Sequence, residues 1–211
     1  GRDVGPVPAV AGVAVALGVV ARQVDELLDS HPEARELLEE PASGGMTVSP
    51  DGKTLIYSLA VAGVHQLHRF DLSTRRSSQL TTSPGEKFNP VWSPDGSRIA
   101  FSSNATGTMQ LVTIPASGGP EKILTDGYER MYHPFYSPDG RWLYIQPSHR
   151  NIYRLPADGG PLEPVTKFPE SGLFLEEPTL SPDGRWLAYS RSNGGASLWL
   201  LTMEDGSPKK Q

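Results

Sequence analysis

Residues 90–101 read Pro-Val-Trp-Ser-Pro-Asp-Gly-Ser-Arg-Ile-Ala-Phe, and the tetrapeptide Ser-Pro-Asp-Gly at their centre occurs four times in the chain. The copies begin at Ser49, Ser93, Ser137 and Ser181, so each lies 44 residues after the one before. A fixed period of this length is typical of repeat architectures, in which each repeat is one supersecondary unit. The period fits a β-propeller, whose four-stranded blades need about 40–50 residues each.

Each repeat carries the same succession of short apolar runs around the tetrapeptide. In the second copy Trp92 precedes it, and strand-like runs follow at 97–101 and 111–114. The first three copies then end in a short strand that closes on Leu-Thr or Val-Thr, at 80–81, 124–125 and 165–166. The runs are rich in aromatic and β-branched residues and are separated by Gly, Pro and Asp, which predicts four short antiparallel strands per repeat.

The tetrapeptide is predicted to form the turn between the first and second strands of each repeat. Pro fixes φ near −65°, which suits the second position of a type I turn. Asp and Ser can hydrogen-bond nearby backbone groups, and Gly accepts a positive φ. We therefore interpret the following residues as structural rather than catalytic or metal-binding: Asp51, Gly52, Asp95, Gly96, Asp139, Gly140, Asp183 and Gly184.

These motifs resemble the TolB-type, WD-like β-propeller repeat. The resemblance rests on residues 90–101 and on the Leu-Thr that closes the repeat, and it covers about residues 44–211. It implies an all-β domain of four-stranded antiparallel blades. Because rings of this family usually have about six blades and this stretch has room for about four, we predict a partial or open ring. The alternative is an unusual four-bladed unit.

The resemblance implies a non-enzymatic binding or scaffold module with protein or peptide partners. The alternative is an accessory or sensor domain of a larger bacterial enzyme or signalling protein, such as a prolyl-oligopeptidase-like peptidase, a serine/threonine kinase or a membrane-bound transcriptional regulator. The chain contains no Gly-x-Ser-x-Gly elbow, no Walker-type loop and no His-Glu-x-x-His motif. We therefore predict no catalytic residues, no bound metal and no cofactor.

Composition and charge narrow the choice of partner. The chain of 211 residues has a net charge of −5 and no cysteine. The negative charge argues against nucleic acid as a partner, and the missing cysteines exclude disulfides, thiolate catalysis and cysteine-based zinc sites. His65 and His68 lie in a predicted strand, where a separation of three residues places them on opposite faces. A shared metal ion between them is therefore not predicted.

Residues 1–43 do not belong to the repeat. Residues 4–21 carry no charged side chain, and as a helix they would reach about 27 Å, the lower edge of a membrane span. We interpret 1–21 as an apolar segment that is a membrane anchor or a signal remnant, or alternatively a buried or disordered segment. Residues 22–43 are predicted to form a helical linker to the blades at 44–211. The predicted location is periplasmic or membrane-anchored and extracytoplasmic, with the cytoplasm as the alternative; the oligomeric state stays open.

One set of positions varies where the rest of the repeat is constant. Four residues before each motif serine stand Gly45, Asn89, His133 and Glu177. The first strand of each propeller blade lies nearest the axis, so equivalent positions converge around the central channel. We predict a ligand site at this channel mouth, and the alternative is that these are ordinary polar residues lining a wet channel. The predicted ligand-binding residues are Asn89, His133 and Glu177, with Phe88 and Tyr132 as apolar walls and Glu176 beside them.

Two expectations accompany this site. An acidic side chain beside an imidazole favours the charged imidazole, which predicts binding that changes between about pH 5 and 8. His149 is expected at a solvated hairpin tip, away from the channel.

Overall fold

The computed structural model describes residues 44–127, 132–147, 149–168, 174–192, 196–204 and 207–208. Within them the chain forms four separate four-stranded antiparallel sheets, one for each repeat. The predicted all-β class is confirmed for this part of the chain. The apolar segment 1–21 and the helical linker 22–43 lie outside the described residues. None of the described residues belongs to a helix that is long and apolar enough to cross a membrane.

Each sheet is a meander in which the strands neighbour one another in chain order. Sheet 1 contains β1 (Met46–Val48), β2 (Thr54–Val61), β3 (Val64–Asp71) and β4 (Arg76–Gln79). Sheet 2 contains β5 (Lys87–Trp92), β6 (Arg98–Ser103), β7 (Gln110–Pro115) and β8 (Lys122–Ile123). Sheet 3 contains β9 (Tyr132–Tyr136), β10 (Trp142–Gln146), β11 (Tyr153–Pro156) and β12 (Glu163–Pro164). Sheet 4 contains β13 (Phe174–Leu180), β14 (Trp186–Ser192), β15 (Ala196–Glu204) and β16 (Ser207–Pro208).

Among the described residues, three apolar clusters lie between successive sheets, and a fourth, which includes Tyr57 and Phe70, is formed by sheet 1 alone. Because side chains alternate along a strand, the inner strands present apolar residues to both neighbouring sheets. Ile56 of sheet 1 packs with Ile99 and Phe101 of sheet 2. The next two interfaces are built in the same way, around Leu143 and then around Tyr144. The first strands of the sheets are also neighbours, since β1 contacts β5, β5 contacts β9 and β9 contacts β13.

The structure places all four Ser-Pro-Asp-Gly copies in the turn between the first and second strands of a sheet. In the second copy the Ser93 hydroxyl donates to Asp95 Oδ1 at 2.5 Å and accepts the Arg98 N–H at 3.0 Å. The Ser93 hydroxyl and the backbone N–H of Ser97 stabilise the carboxylate and lower the pKa of Asp95 to about 2. Gly96 has φ of 69°, as the turn requires.

The turns of neighbouring sheets also touch one another, which the sequence did not indicate. A Cβ added at Gly140 would lie 3.7 Å from Pro94 Cδ, and one at Gly184 would lie 3.6 Å from Pro138 Cδ. The glycines of the second, third and fourth turns therefore each lie next to the proline of the turn before. This contact orders the turns along one side of the molecule.

The repeated threonine has a different role from the one predicted. The fourth strands end before the Leu-Thr or Val-Thr pairs, at Gln79, Ile123 and Pro164. The threonine hydroxyl instead accepts a backbone N–H from the third strand, as in Leu111 N–H to Thr125 Oγ1 at 3.0 Å. Sheet 1 repeats this bond from Leu67, and sheet 3 repeats it from Ile152, the residue before β11, each at 2.9 Å. A buried side chain thus takes the place of a backbone acceptor where the fourth strand has ended.

Replacing Thr125 with Val is expected to destabilise the protein by about 1–3 kcal/mol, because the buried N–H of Leu111 loses its acceptor while the side-chain shape is kept. The measurement is unfolding in guanidinium chloride. Thr106→Val in an exposed turn is the control and should change the free energy of unfolding by less than about 0.5 kcal/mol. Equal midpoints for Thr125→Val and the parent would show that the hydroxyl is not needed.

Candidate functional site

The four variable positions at the start of each repeat share an unusual backbone conformation. Asn89, His133 and Glu177 have φ of 51°, 48° and 51°, and Gly45 has φ of 89°. In β5, β9 and β13 the pairing register with the next strand shifts at this place, so each of these three strands carries a β-bulge. Non-glycine residues with positive φ are uncommon and cost of order 1 kcal/mol or more. Bulges of this kind re-aim a side chain and are frequent next to functional sites.

Hydrogen bonds between sheets hold the first strands side by side at these bulges. The Asn89 N–H donates to the Gly44 carbonyl at 2.6 Å. The Ser58 hydroxyl donates to the Lys87 carbonyl at 2.7 Å, and Gln146 Nε2 donates to the Leu175 carbonyl at 2.5 Å. Ser58 and Gln146 are fully buried and occupy equivalent positions two repeats apart. The bulges therefore follow one another along the inner edge of successive sheets.

His133 lies within electrostatic reach of two other titratable side chains. Burial lowers the pKa of His133, the His149 imidazole lowers it further, and the Glu177 carboxylate opposes them. His133 is exposed to solvent, although nearby protein atoms desolvate its ring enough to outweigh the effect of the glutamate. The expectation that the glutamate favours the charged imidazole agrees in sign, but burial and His149 outweigh this effect and the net pKa is lowered. With a pKa below the ordinary 6.5, His133 is neutral at pH 7 and gains a proton only on the acid side of that value.

His149 is the residue that sequence reasoning misplaced. It is half-buried, has φ of 49°, and its carbonyl accepts the Leu175 N–H at 2.6 Å. It therefore lies beside the first strand of sheet 4 and close to His133, instead of at a solvated tip. No motif of the repeat marks it, because it lies in the loop between β10 and β11 and not at one of the aligned first-strand positions.

The other predicted site residues are distributed around this centre. Asn89 is half-buried beside Gly45, where an added Cβ would approach Asn89 Cα to 3.2 Å. The Phe88 ring packs on the His65 imidazole, with 4.8 Å between ring centroids, so it lies between sheets 1 and 2. Glu176 is exposed and pairs with Ser190 in the β13–β14 ladder. Tyr132 belongs to β9, and its side chain is outside the described atoms.

The His65 and His68 side chains lie in different environments, as their spacing predicts. His65 Nδ1 lies 3.4 Å from Glu86 Oε1, while the His68 ring packs near Tyr57 at 5.7 Å between centroids. In the part of the chain that the structure describes, no three His, Asp or Glu side chains come together in a way that could hold a metal ion.

The neighbouring first strands of sheets 2, 3 and 4 thus carry an amide, an imidazole and a carboxylate at equivalent bulges, and Glu177 and His149 act on the pKa of His133. A neutral imidazole both donates and accepts a hydrogen bond, an amide does the same, and a carboxylate accepts. A few convergent polar groups of this kind suit a ligand that carries its own donors and acceptors, such as a peptide backbone.

Comparison with known proteins gives the following matches. A family model described as TolB beta propeller domain matches residues 40–211. No curated protein sequence matches the chain. The fold is similar to a chain assigned as TolB from Agrobacterium tumefaciens, with 25% identity and a TM-score of 0.66 over 77% of this chain and 61% of that one. It is also similar to TolB from Acinetobacter baumannii, with 25% identity and a TM-score of 0.63 over 77% of this chain and 41% of that one.

A more distant match shows the fold alone. Kuenenia stuttgartiensis hydrazine synthase shares 20% identity with a TM-score of 0.55, over 75% of this chain and 58% of that one. The chain therefore spans less than two thirds of each of these structures.

Proposed function

Because the chain belongs to the TolB β-propeller domain family, we propose that it is a non-enzymatic binding or scaffold module whose partner is a protein or peptide. The observation that carries the proposal is the set of left-handed bulges at Asn89, His133 and Glu177. The same strained conformation recurs in three repeats, while the side chain at the position differs in each. A backbone conformation that is the same in each repeat, with polar side chains that differ, is the arrangement expected of a recognition surface.

The chemistry at the mouth supports a polar, peptide-like ligand. His133 is neutral at pH 7, so it offers one donor and one acceptor without a fixed charge. Glu177 is exposed and adds acceptor oxygens, and Asn89 adds an amide. His149, which lies close to His133, belongs to the same site.

We propose that the four sheets form an open or partial ring. Among the described residues, strand contacts link sheets 1 with 2 and 2 with 3, and β9 contacts β13 between sheets 3 and 4. On sheet 4, Phe174 and Leu198 are each 55% exposed. Leu198 pairs with Ser190, whose neighbour Tyr189 packs toward sheet 3, so Leu198 faces away from that interface. In sheets 1, 2 and 3 the face that corresponds to the Leu198 face of sheet 4 packs on the next sheet.

We also propose a periplasmic or membrane-anchored, extracytoplasmic location. The uncharged run at 4–21 supports it.

The function is tested with a random heptapeptide phage library selected on the immobilised protein. Selected peptides are then titrated by calorimetry against the parent and the triple variant Asn89→Ala, His133→Ala, Glu177→Ala. We expect the triple variant to weaken binding by about tenfold or more, because several polar contacts are removed at once.

The control is a second triple variant, Arg76→Ala, Ser78→Ala, Lys167→Ala, at exposed positions on or beyond the fourth strands. It should bind the peptides as the parent does. If the channel-mouth variant also retains parental affinity, the recognition surface lies elsewhere and this proposal is wrong.

A further inference from the structure

Two equivalent grooves lie between successive sheets on the side that carries the Ser-Pro-Asp-Gly turns. The first, groove 2–3, separates sheets 2 and 3, has a volume of about 460 Å³ and is lined by residues that include Arg98, Tyr136 and Asp158. The second, groove 3–4, separates sheets 3 and 4, has a volume of about 560 Å³ and is lined by residues that include Trp142, Leu180 and Glu204. These lining residues correspond one to one through the repeat.

The correspondence follows from strand pairing. Arg98 and Trp142 are each the second residue after Ser-Pro-Asp-Gly. Trp142 pairs with Pro156, and Asp158 comes two residues later; Trp186 pairs with Thr202, and Glu204 comes two residues later. Asp158 and Glu204 are therefore the same position in sheets 3 and 4.

Groove 2–3 carries its own cation. The Arg98 guanidinium forms an ion pair with the Asp158 carboxylate across the groove. Arg98 also lowers the pKa of that carboxyl group, first through the hydrogen bond and then through its charge. Lys122 Nζ reaches the same residue, at 2.7 Å from the Asp158 carbonyl oxygen. The acidic residue of sheet 3 is thus matched by two basic residues from sheet 2.

Groove 3–4 keeps the acidic residue and loses both of these cations. Trp142 stands where Arg98 stands, and Glu163 stands where Lys122 stands, since Lys122 pairs with Thr113 and Glu163 with Arg154. Leu180 replaces Tyr136, which removes a hydroxyl group from the wall. Glu204 therefore shares the lining of groove 3–4 with an indole and an aliphatic side chain, and with Arg141 and Arg185.

Arg141 and Arg185 line groove 3–4 and Arg154 lies beside it, and all three have partners of their own. Arg154 Nη2 lies 2.9 Å from Glu163 Oε2, and its guanidinium lies 3.8 Å from the centroid of the Trp142 ring. Arg141 and Arg185 each pair with the aspartate of their own turn, at 2.5 and 2.6 Å. Among the residues that the structure describes, Glu204 forms no ion pair.

We propose that groove 3–4 binds a cationic side chain of a peptide, guanidinium or ammonium, in the place that Arg98 occupies in groove 2–3. Glu204 supplies the counter-charge, and Trp142 and Leu180 supply apolar wall against the stem of the ligand side chain. The site lies on the turn side of the sheets and is independent of the proposed function of the channel mouth.

The probe is N-acetyl-arginine amide, with N-acetyl-citrulline amide as its neutral isostere. Binding is followed by the NMR shift of the Trp indole N–H signals during titration at low salt. We expect saturable binding in the millimolar range, because one half-exposed ion pair contributes little. Affinity for citrulline should be lower by about threefold or more, and 0.5 M NaCl should weaken arginine binding.

Two carboxylate variants separate the grooves. Glu204→Gln should reduce arginine affinity by about threefold or more, whereas Asp158→Asn, the matched change in groove 2–3, should leave it unchanged. Trp142→Arg should supply an internal cation and abolish binding, with folding checked by circular dichroism. Equal affinity for arginine and citrulline, or an unchanged affinity in Glu204→Gln, would overturn the proposal.

Discussion

Replacing Gly85 with Ala is expected to destabilise the protein by about 2–4 kcal/mol, which is the sum of backbone strain and a steric clash. Gly85 has φ of 79°, and an added Cβ would lie 2.7 Å from Ala105 Cα and 2.8 Å from Ala105 N. Those atoms belong to backbone and have little freedom to move. The Asn104 side chain holds the loop in place, because its Oδ1 accepts the Glu86 N–H at 2.6 Å.

Gly63→Ala is the matched control for this prediction. Gly63 has a similar φ of 81°, but no atom lies within 4 Å of its added Cβ. The control therefore carries the strain alone, about 1 kcal/mol. Chemical denaturation of both variants gives the difference. Equal losses in the two variants would show that the loop at Ala105 relaxes freely and that the clash contributes nothing.

Replacing Phe101 with Ala is expected to cost about 3–5 kcal/mol of unfolding free energy. Phe101 is 0% exposed and packs in the cluster between sheets 1 and 2 with Ile56 and Ile99. In stacked repeats, the free energy of unfolding is approximately the sum of the stability of each repeat and of the interfaces between neighbours. The substitution therefore weakens mainly the interface between sheets 1 and 2. Guanidinium unfolding followed by circular dichroism measures it.

Phe174→Ala provides the same chemical change at an exposed position. Phe174 is 55% exposed on β13, so we expect a loss below about 1 kcal/mol. If Phe101→Ala does not fold, Phe101→Leu should still do so with a smaller loss, since it removes less volume. A loss in Phe101→Ala no larger than that in Phe174→Ala would mean that the interface between sheets 1 and 2 does not stabilise the protein.

At the channel mouth, the prediction made from the repeat and the pKa shift of His133 in the structure differ. The repeat alone singled out His133 and Glu177 as neighbours around a common axis. The sign of the pKa shift of His133 depended on burial and on His149, which no repeat spacing connects to it. In the structure the Phe88 ring packs on His65 of the preceding sheet. Phe88 is the last residue of β5 paired with β6 before the bulge at Asn89.

The sequence by itself determined the features that depend on contacts within a few residues. The Ser-Pro-Asp-Gly turn is closed by bonds between residues two to five apart, such as Ser93 to Asp95 and Arg98 to Ser93. Four such turns at one period were enough to predict four antiparallel sheets, because each strand pair is built from neighbouring segments.

Only the tertiary structure decided the features that join one sheet to another. Ser58 is fully buried and donates to the Lys87 carbonyl of the next sheet at 2.7 Å, although its strand position reads as an ordinary polar one. Arg98 bonds to Asp158, which is 60 residues away in sequence. Trp142 and Glu204 occupy the equivalent positions in the next groove and form no such bond. Such pairs depend on how neighbouring sheets pack against each other. The repeat period gives the spacing of strands along the chain and does not specify this packing.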